Sequence, residues 1–248
     1  MRKYILAALC STLYLTVHAE SSKEKYQQTV QLSVNFGSGI AYHTYKATAH
    51  TPIEGMVTSN IWDKDKITFG YNAGLNVTWQ FHKNVAFEGG ISYMLRGWQW
   101  RQDSVWFATS FPPQYDSIYS LKAKDNYHYI NIPLKLKFYA GKGKVKFVGG
   151  VGVSLDFLIG TSQTSTLSYH GKTVQRYDAA VFPARKFYNV FNVSALASAG
   201  IDYAISHKYG IRVEPYFSHQ CMKINKQGSI YGYLWNAGIN WAFYFGVK

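Results

Sequence analysis

One stretch of the chain alternates apolar and polar residues without interruption over 16 positions, from Ile67 to His82. Its odd positions carry aliphatic and aromatic side chains, whereas its even positions carry Gly, Asn, Thr, Gln and His. Because successive side chains of a β-strand point to opposite faces, this pattern predicts a strand with one apolar and one polar face. Strands of soluble domains average about 5–6 residues, so a strand of this length is unusual.

The same alternation recurs in seven other stretches, and the sequence therefore predicts eight strands. The other seven run over residues 29–42, 85–98, 127–140, 145–159, 191–205, 209–217 and 233–247. The eight strands are 9 to 16 residues long, and a tilted strand needs about 9–11 residues to cross a bilayer.

The connectors between these strands alternate in length. Short ones lie at about residues 82–84, 141–144 and 206–208, and long ones at about 43–66, 99–126, 160–186 and 219–232. An even number of strands joined alternately by short turns and long loops is the plan of a bacterial outer-membrane barrel. We therefore predict an all-β fold, an eight-stranded antiparallel up-and-down transmembrane β-barrel with short periplasmic turns and long extracellular loops.

A soluble lipocalin-like barrel is the competing interpretation, because it too is an eight-stranded meander, with its apolar face turned inward. The polar face of the predicted strands is rich in Gly, Asn, Ser and Thr and carries few of the Lys and Glu residues typical of a water-exposed face. Small polar residues suit the inside of a narrow barrel, so the pattern favours the membrane barrel. Aromatic residues near strand ends are typical of interfacial girdles: Trp79, Phe81, Trp98, Phe138, Tyr203 and Phe243.

The N-terminus has the three parts of a secretory signal peptide. Arg2 and Lys3 form a basic start, residues 4–17 are apolar, and Ala19 is the small residue that a signal peptidase needs at the cut. We predict a cleaved signal peptide over residues 1–19, a short periplasmic segment over 20–28 and the barrel domain over 29–248. The predicted location is the bacterial outer membrane.

Two alternatives remain for the first segment: a short membrane anchor, and a lipoprotein site at Cys10, although Leu9 stands where lipidation needs a small residue. Cleavage would remove two of 26 basic residues and none of 13 acidic ones, leaving a net charge of +11. An exported basic chain is expected to meet outer-membrane lipid, lipopolysaccharide or acidic polymers rather than nucleic acid.

Three strand segments resemble a known family. Residues 129–139, YINIPLKLKFY, resemble the fourth strand of the PorT-like outer-membrane β-barrel domain of Bacteroidota. Residues 90–97, GISYMLRG, resemble its third strand, and residues 149–152, GGVG, its fifth. The resemblance covers roughly residues 29 to 248. It implies a small outer-membrane barrel without a shared catalytic site, so no site residues carry over from it.

The polar face of the predicted barrel carries acids and bases in equal numbers at similar heights. Counted from the nearest short turn, four lie five residues away, two lie seven away, and two lie thirteen or fourteen away. The four at five residues are Glu88, Lys137, Asp202 and Arg212, the two at seven are Lys135 and Glu214, and the two at thirteen and fourteen are Arg96 and Asp156.

Buried charges must be paired and hydrogen-bonded, and eight strands leave an interior that side chains can fill. We therefore predict that these residues form an ion-pair network that plugs the lumen, with Asp202 directly opposite Arg212. A gated or very narrow channel is the alternative. Lys146, which breaks the charge balance, is predicted at the wet periplasmic rim.

No residue pattern indicates an enzyme, a cofactor or a metal site. The histidines are dispersed and none has ligand spacing with carboxylates or Cys. Ser218 and His219 adjoin near Glu214, in a way that resembles part of a lipid A deacylase site. Adjacent residues of a strand point to opposite faces, however, so Ser218 and His219 are expected not to pair.

The second long loop is the best candidate for binding a partner, because exposed aromatic clusters mark contact sites. The candidate contact residues are Trp100, Trp106, Phe107, Phe111 and Tyr115. The alternative is that these rings pack on one another as a lid or enter the headgroup layer.

Three classes of function remain open. The favoured class is a non-catalytic surface or accessory barrel that anchors loops and partners, among them other outer-membrane proteins. The second is a component of a type IX-like protein secretion and gliding apparatus, which the resemblance to PorT implies. The third is a small-solute pore, against which the predicted plug argues.

Overall fold

The computed structural model describes residues 29–47, 65–106, 118–181, 188–206, 208–226 and 230–247. These residues form ten β-strands, numbered in chain order: β1 (Thr29–Ala47), β2 (Asp65–Lys66), β3 (Thr68–His82), β4 (Val85–Trp106), β5 (Ile118–Ala140), β6 (Val145–Tyr169), β7 (Lys172–Val181), β8 (Phe191–Ala204), β9 (Tyr209–Gln220) and β10 (Ile230–Val247). Within these residues no helix is long and apolar enough to span a membrane.

Eight of the strands close into a ring of antiparallel pairs. β1 pairs with β3 on one side and with β10 on the other, and the remaining pairs are β3–β4, β4–β5, β5–β6, β6–β8, β8–β9 and β9–β10. β2 adds to the outer part of β4, and β7 adds to the outer part of β6. The predicted eight-stranded up-and-down barrel is confirmed, with β2 and β7 outside the ring.

The register of the ring sets the width of the barrel. Following paired residues once around the ring leads from Val30 on β1 back to Ile40 on the same strand, a displacement of ten residues. With ordinary strand spacing, that stagger tilts the strands by roughly 40° and gives a backbone radius of about 8 Å. Side chains can fill an interior of that size.

The barrel is apolar outside and polar inside. Phe69 and Phe147 on the outer surface expose 60% and 67% of their area, whereas Arg96 and Arg212 in the lumen expose none. This arrangement is the inverse of a lipocalin-like barrel and matches a barrel surrounded by lipid.

The loops predicted at residues 99–126 and 160–186 are largely extended hairpins. β4 continues to Trp106 and pairs there with Ile118 of β5, and β6 continues to Tyr169 before the chain returns as β7. These outer segments escape the alternation pattern because both faces carry polar residues, as in the TSQTSTLS run of residues 161–168. The second hairpin turns at His170 and Gly171, whose positive φ angles of 45° and 77° suit a tight two-residue turn.

Trp98 does not belong to a lipid-facing girdle, so that prediction is wrong. Its ring packs partly buried against the lumen cluster and stacks on His43, with 5.0 Å between ring centroids. Its indole N–H donates to the Tyr127 hydroxyl at 3.4 Å. The reason is strand parity, since Trp98 lies two positions from Arg96, whose side chain is in the lumen.

Candidate functional site: the charged lumen

Arg212 is the centre of a buried cluster near the short-turn end of the lumen. Its Nε donates to Asp202 at 2.9 Å, and its Nη1 donates to Glu88 at 3.2 Å. Its Nη2 donates to the Tyr139 hydroxyl at 2.8 Å and to Gln31 Oε1 at 3.2 Å. A guanidinium has five N–H groups, and four of them therefore have a protein acceptor.

Glu88 accepts from all three cations of this cluster. Its Oε1 lies 2.7 Å from Lys135 Nζ, and its Oε2 lies 2.7 Å from Lys137 Nζ and 3.2 Å from Arg212 Nη1. Lys137 Nζ also lies 2.7 Å from Glu214 Oε2. The cluster holds three acids and three bases: Glu88, Asp202 and Glu214 against Lys135, Lys137 and Arg212. The residues predicted five and seven positions from the turns thus form one neutral cluster, because lysine side chains reach from one layer to the next.

Arg96 and Asp156 form a second buried pair nearer the long-hairpin end. Arg96 Nη1 lies 3.0 Å from Asp156 Oδ2, and both side chains are fully buried. The guanidinium also donates to the hydroxyls of Ser194 and Ser218, at 3.1 and 2.9 Å. Asp156 accepts further hydrogen bonds from Ser154, Asn131 and Ser194.

The Arg212 cluster and the Arg96–Asp156 pair connect distant strands of the ring across the lumen. Arg96 on β4 reaches Asp156 on β6 and Ser218 on β9, and Lys137 on β5 reaches Glu214 on β9. Breaking one partner of a buried pair costs about 3–5 kcal/mol, because the other charge is left uncompensated. The structure therefore places each of the eight predicted lumen charges in an ion pair, six in the Arg212 cluster and two in the Arg96–Asp156 pair.

A small polar cavity lies between the two charged groups. Its volume is about 60 Å³, and its wall includes Asn35, Asn72, Asn76, Ser92 and Asn131. Oδ1 of Asn35 and of Asn76 are buried without a protein partner among the described residues. A cavity of this size holds a few water molecules, which would donate to these oxygens.

An apolar lid closes the lumen at the long-hairpin end. Tyr127, Leu234 and Ile224 pack together there, with Trp98 and Tyr188 against them. The backbone carbonyl of Ile224 accepts from the Asn189 N–H at 2.7 Å, and its own N–H donates to Gly232 O at 2.8 Å. Ile224, in the segment that follows β9, is thus held over the lumen beside Tyr127 and Leu234.

The short-turn end opens into a polar vestibule of about 260 Å³. Lys144 and Lys146 line it, together with Asp202, Tyr139 and Tyr244. Lys146 therefore lies at the rim of the lumen, where the sequence places it. The Arg212 cluster forms the inner wall of the vestibule.

The predicted aromatic contact residues have different positions in the structure. Trp100 is part of β4 and pairs with Ala123 of β5, and Trp106 is the last residue of β4. Phe107, Phe111 and Tyr115 lie outside the described residues. Trp100 and Trp106 are therefore on a sheet that projects from the barrel rather than in an irregular loop.

Ser218 and His219 point to opposite faces of β9, as predicted. Ser218 is buried in the lumen against Arg96, and His219 stacks on Tyr233 with 6.4 Å between ring centroids.

Sequence reasoning missed a different serine and histidine. His128 Nε2 lies 3.1 Å from Ser162 Oγ, and His128 Nδ1 lies 2.5 Å from the Tyr93 hydroxyl. These residues are on three neighbouring strands and are 34 and 35 positions apart in the chain, so no local motif could reveal them.

Comparison with known proteins gives one family match. A family model described as an outer membrane protein β-barrel domain matches residues 21–219, which include β1 to β8 and most of β9. No curated protein matches the chain.

Several solved outer-membrane structures are similar to the chain at low identity. OprG from Pseudomonas aeruginosa has 11% identity and a TM-score of 0.42, covering 88% of this chain and 97% of that chain. Ail, the attachment invasion locus protein of Yersinia pestis, in complex with the heparin analogue sucrose octasulfate, has 14% identity and a TM-score of 0.31, covering 86% and 99%. The outer membrane protease OmpT from Escherichia coli has 9% identity and a TM-score of 0.42, covering 91% and 100%.

Proposed function

Since the chain belongs to the outer membrane protein β-barrel domain family, we propose that it is a sealed barrel that anchors a β-sheet at the cell surface and binds partners there. The observation that carries this proposal is the filled lumen. A solute entering from the vestibule meets the Arg212 cluster, then the Arg96–Asp156 pair, then the lid at Ile224 and Trp98. Each of these levels would have to rearrange before the lumen could conduct.

The anchored element is the sheet formed by the outer parts of β4, β5, β6 and β7. By the plan of outer-membrane barrels the long hairpins face the cell exterior and the short turns face the periplasm. The sheet extends the barrel wall at residues 99–106, 118–126, 161–169 and 172–181. It presents Trp100 and exposes Tyr177 by 62%, which gives a surface for contact with other outer-membrane proteins.

The outward face of this sheet is basic. Arg101, Lys122 and Arg176 occupy one cross-strand row with Thr166, and Lys124 lies in the next row. Hydrogen bonds from Arg176 and Thr164 hold the pKa of the Asp178 carboxyl below its ordinary value, so that this carboxyl offsets Arg176. Asp103 likewise offsets Arg101, with 2.8 Å between Oδ1 and Nε. The positive charge that remains on this face of the described sheet, on Lys122 and Lys124, supports lipopolysaccharide as a partner, because its phosphates lie at the outer surface of the membrane.

The finer assignments rest on the sequence. The segment at residues 129–139 supports a PorT-like barrel of Bacteroidota, and residues 1–19 support export through a cleaved signal peptide. The chain would carry no catalytic group in its lumen, where each charged side chain of the plug is held by a partner.

A role in a type IX-like secretion and gliding apparatus is the second candidate. Comparing the proteins exported by a deletion strain and its parent tests it: cargo retained in the periplasm supports that role, and an unchanged set of exported proteins contradicts it.

Conductance measurements test the sealed barrel. The purified full chain is inserted in planar lipid bilayers, with a general porin inserted in the same way as the positive control. We expect no stable conductance steps from the chain when the porin produces them. Stable, reproducible steps from the chain would show that the lumen conducts and would refute the proposal.

A further inference from the structure

Ser162, His128 and Tyr93 form a hydrogen-bonded chain on the outer surface of the barrel. The two ring nitrogens of His128 lie within hydrogen-bond distance of Ser162 Oγ and of the Tyr93 hydroxyl, at 3.1 and 2.5 Å. With its proton on Nδ1, the imidazole donates to the Tyr93 oxygen and leaves the Nε2 lone pair to accept the Ser162 proton. A nucleophile, a base within reach and a third group that orients the base are the arrangement of an activated serine.

A β-bulge brings Ser162 to this face. The pairing of β5 with β6 shifts by one residue at His128, because His128 pairs with Gly160 whereas Tyr129 pairs with Leu158. One extra residue reverses which side chains of a strand face outward. Without the shift, Ser162 would point to the lumen side of the sheet.

The heights of His128 and Ser162 match the lipid headgroup layer. Going from the membrane toward the outer sheet along β5, Ile130 is the last apolar residue on the outward face, His128 lies two positions further out, and Asn126, the partner of Ser162, four positions further out. At the strand rise and tilt of this barrel, His128 lies roughly 5 Å above Ile130. Ser162, whose hydroxyl is 3.1 Å from His128 Nε2, lies roughly 7 Å above Ile159, the exposed apolar residue three positions before it on β6. The headgroup zone on each side of a bilayer is about 5–8 Å thick, so both residues lie within it if the apolar residues below them mark its inner edge.

We propose that Ser162 is the nucleophile of an esterase site that hydrolyses acyl esters of phosphate-bearing lipids in the outer leaflet. Ser162 Oγ attacks the ester carbonyl while His128 Nε2 takes its proton, and the carbon–oxygen bond to the lipid alcohol breaks as His128 returns the proton to that oxygen. Water, deprotonated by His128, then attacks the acyl-serine, and the products are a free fatty acid and the lipid alcohol, with Ser162 restored.

Three neighbouring side chains suit this substrate. Asn126 Nδ2 lies 3.4 Å from Ser162 Oγ and can donate to the oxyanion that forms on the attacked carbonyl. Lys124, on the same face of β5 and two positions further out, is placed to bind the lipid phosphate, while Ile130 below contacts the acyl chain. This activity goes beyond the proposed anchoring function and uses the outer surface of the barrel rather than the lumen.

Hydrolysis by the full chain in vesicles tests the proposal. One set of vesicles contains phosphatidylglycerol, and a second contains lipopolysaccharide, so the released fatty acids distinguish the two sources of phosphate-bearing ester. We expect fatty acid release in at least one set, a loss of about 100-fold or more for Ser162→Ala and His128→Gln, and labelling of the wild type, but not of Ser162→Ala, by a fluorophosphonate. Tyr93 is a positioning residue, so Tyr93→Phe should lower kcat and leave KM unchanged.

Ser165→Ala is the matched control, because Ser165 lies on the same strand but on the opposite face, beside Ala123. It should keep the wild-type rate, and circular dichroism should show that all variants fold as barrels. No release from either set of vesicles, or a Ser162→Ala rate equal to that of the wild type, would overturn the proposal.

Discussion

Replacing Arg212 by Met tests whether the lumen charges stabilise the barrel as a unit. The side chain is fully buried and donates to Asp202 and Glu88 at 2.9 and 3.2 Å. Removing it leaves the cluster with a net charge of −1 and takes from Asp202 the one cation within salt-bridge distance among the described residues. Because an uncompensated buried charge costs about 3–5 kcal/mol, we expect the free energy of unfolding to fall by roughly that amount.

Two further variants isolate the cause of this loss. Adding Asp202→Asn to Arg212→Met restores neutrality while the amide oxygen can still accept from the Tyr244 hydroxyl, which donates to Asp202 at 2.7 Å. This double variant should recover part of the lost stability. Arg101→Met, by contrast, breaks a pair whose side chains are 50% and 64% exposed, and exposed pairs are worth about 1 kcal/mol or less.

The assay is reversible urea unfolding of the full chain in lipid vesicles, followed by tryptophan fluorescence and by the mobility shift between folded and unfolded barrels. A loss of about 4 kcal/mol corresponds to nearly a thousandfold change in the unfolding equilibrium. If Arg212→Met cost no more than Arg101→Met, or if Asp202→Asn deepened the loss, the reasoning about paired charges would be refuted.

Two other predictions follow from the wall of the barrel. A Cβ at Gly200 would lie 1.9 Å from the backbone oxygen of Val213, so Gly200→Ala should lower the free energy of unfolding in urea by about 1–3 kcal/mol. Gly149→Ala is the control, because the nearest atom to a Cβ there is at 3.9 Å. It should change the same free energy by about 0.5 kcal/mol at most. The double variant Lys122→Gln, Lys124→Gln should reduce the amount of lipopolysaccharide that copurifies with the chain, since each cation near an anionic surface contributes about 1 kcal/mol of binding free energy. Lys142→Gln in a short turn is the control. An equal reduction by the control would contradict the role of the outer sheet.

The alternation of apolar and polar residues along the chain was enough to predict the strands of the ring and the side of each strand that faces the lumen. The distances of the charged residues from the short turns also place them at similar heights along the barrel. The actual partners depend on the stagger between strands and on side-chain length. Lys135 therefore binds Glu88, its neighbour across the β4–β5 pair, and Arg96 reaches Ser218, 122 residues away.

The outer sheet and the serine–histidine pair could not be predicted in the same way. Outside the membrane both faces of a strand meet water, so the period-two signal disappears in residues 161–168 although the strand continues. The bulge beside His128 then reverses the side on which Ser162 lies. A pattern counted in steps of two assigns Ser162 to the wrong face and hides its contact with His128.

Thiol accessibility tests the sealed lumen most directly. In a background that lacks both native cysteines, Cys10→Ser and Cys221→Ser, one variant carries Ser92→Cys in the central cavity and another carries Lys146→Cys in the vestibule. Each full-length barrel is inserted in lipid vesicles and treated with a water-soluble, membrane-impermeant maleimide applied to both sides. We predict that the thiol at position 146 reacts rapidly, whereas the thiol at position 92 reacts only after unfolding. Similar labelling rates at the two positions would show an open path through the barrel and would contradict the sealed lumen.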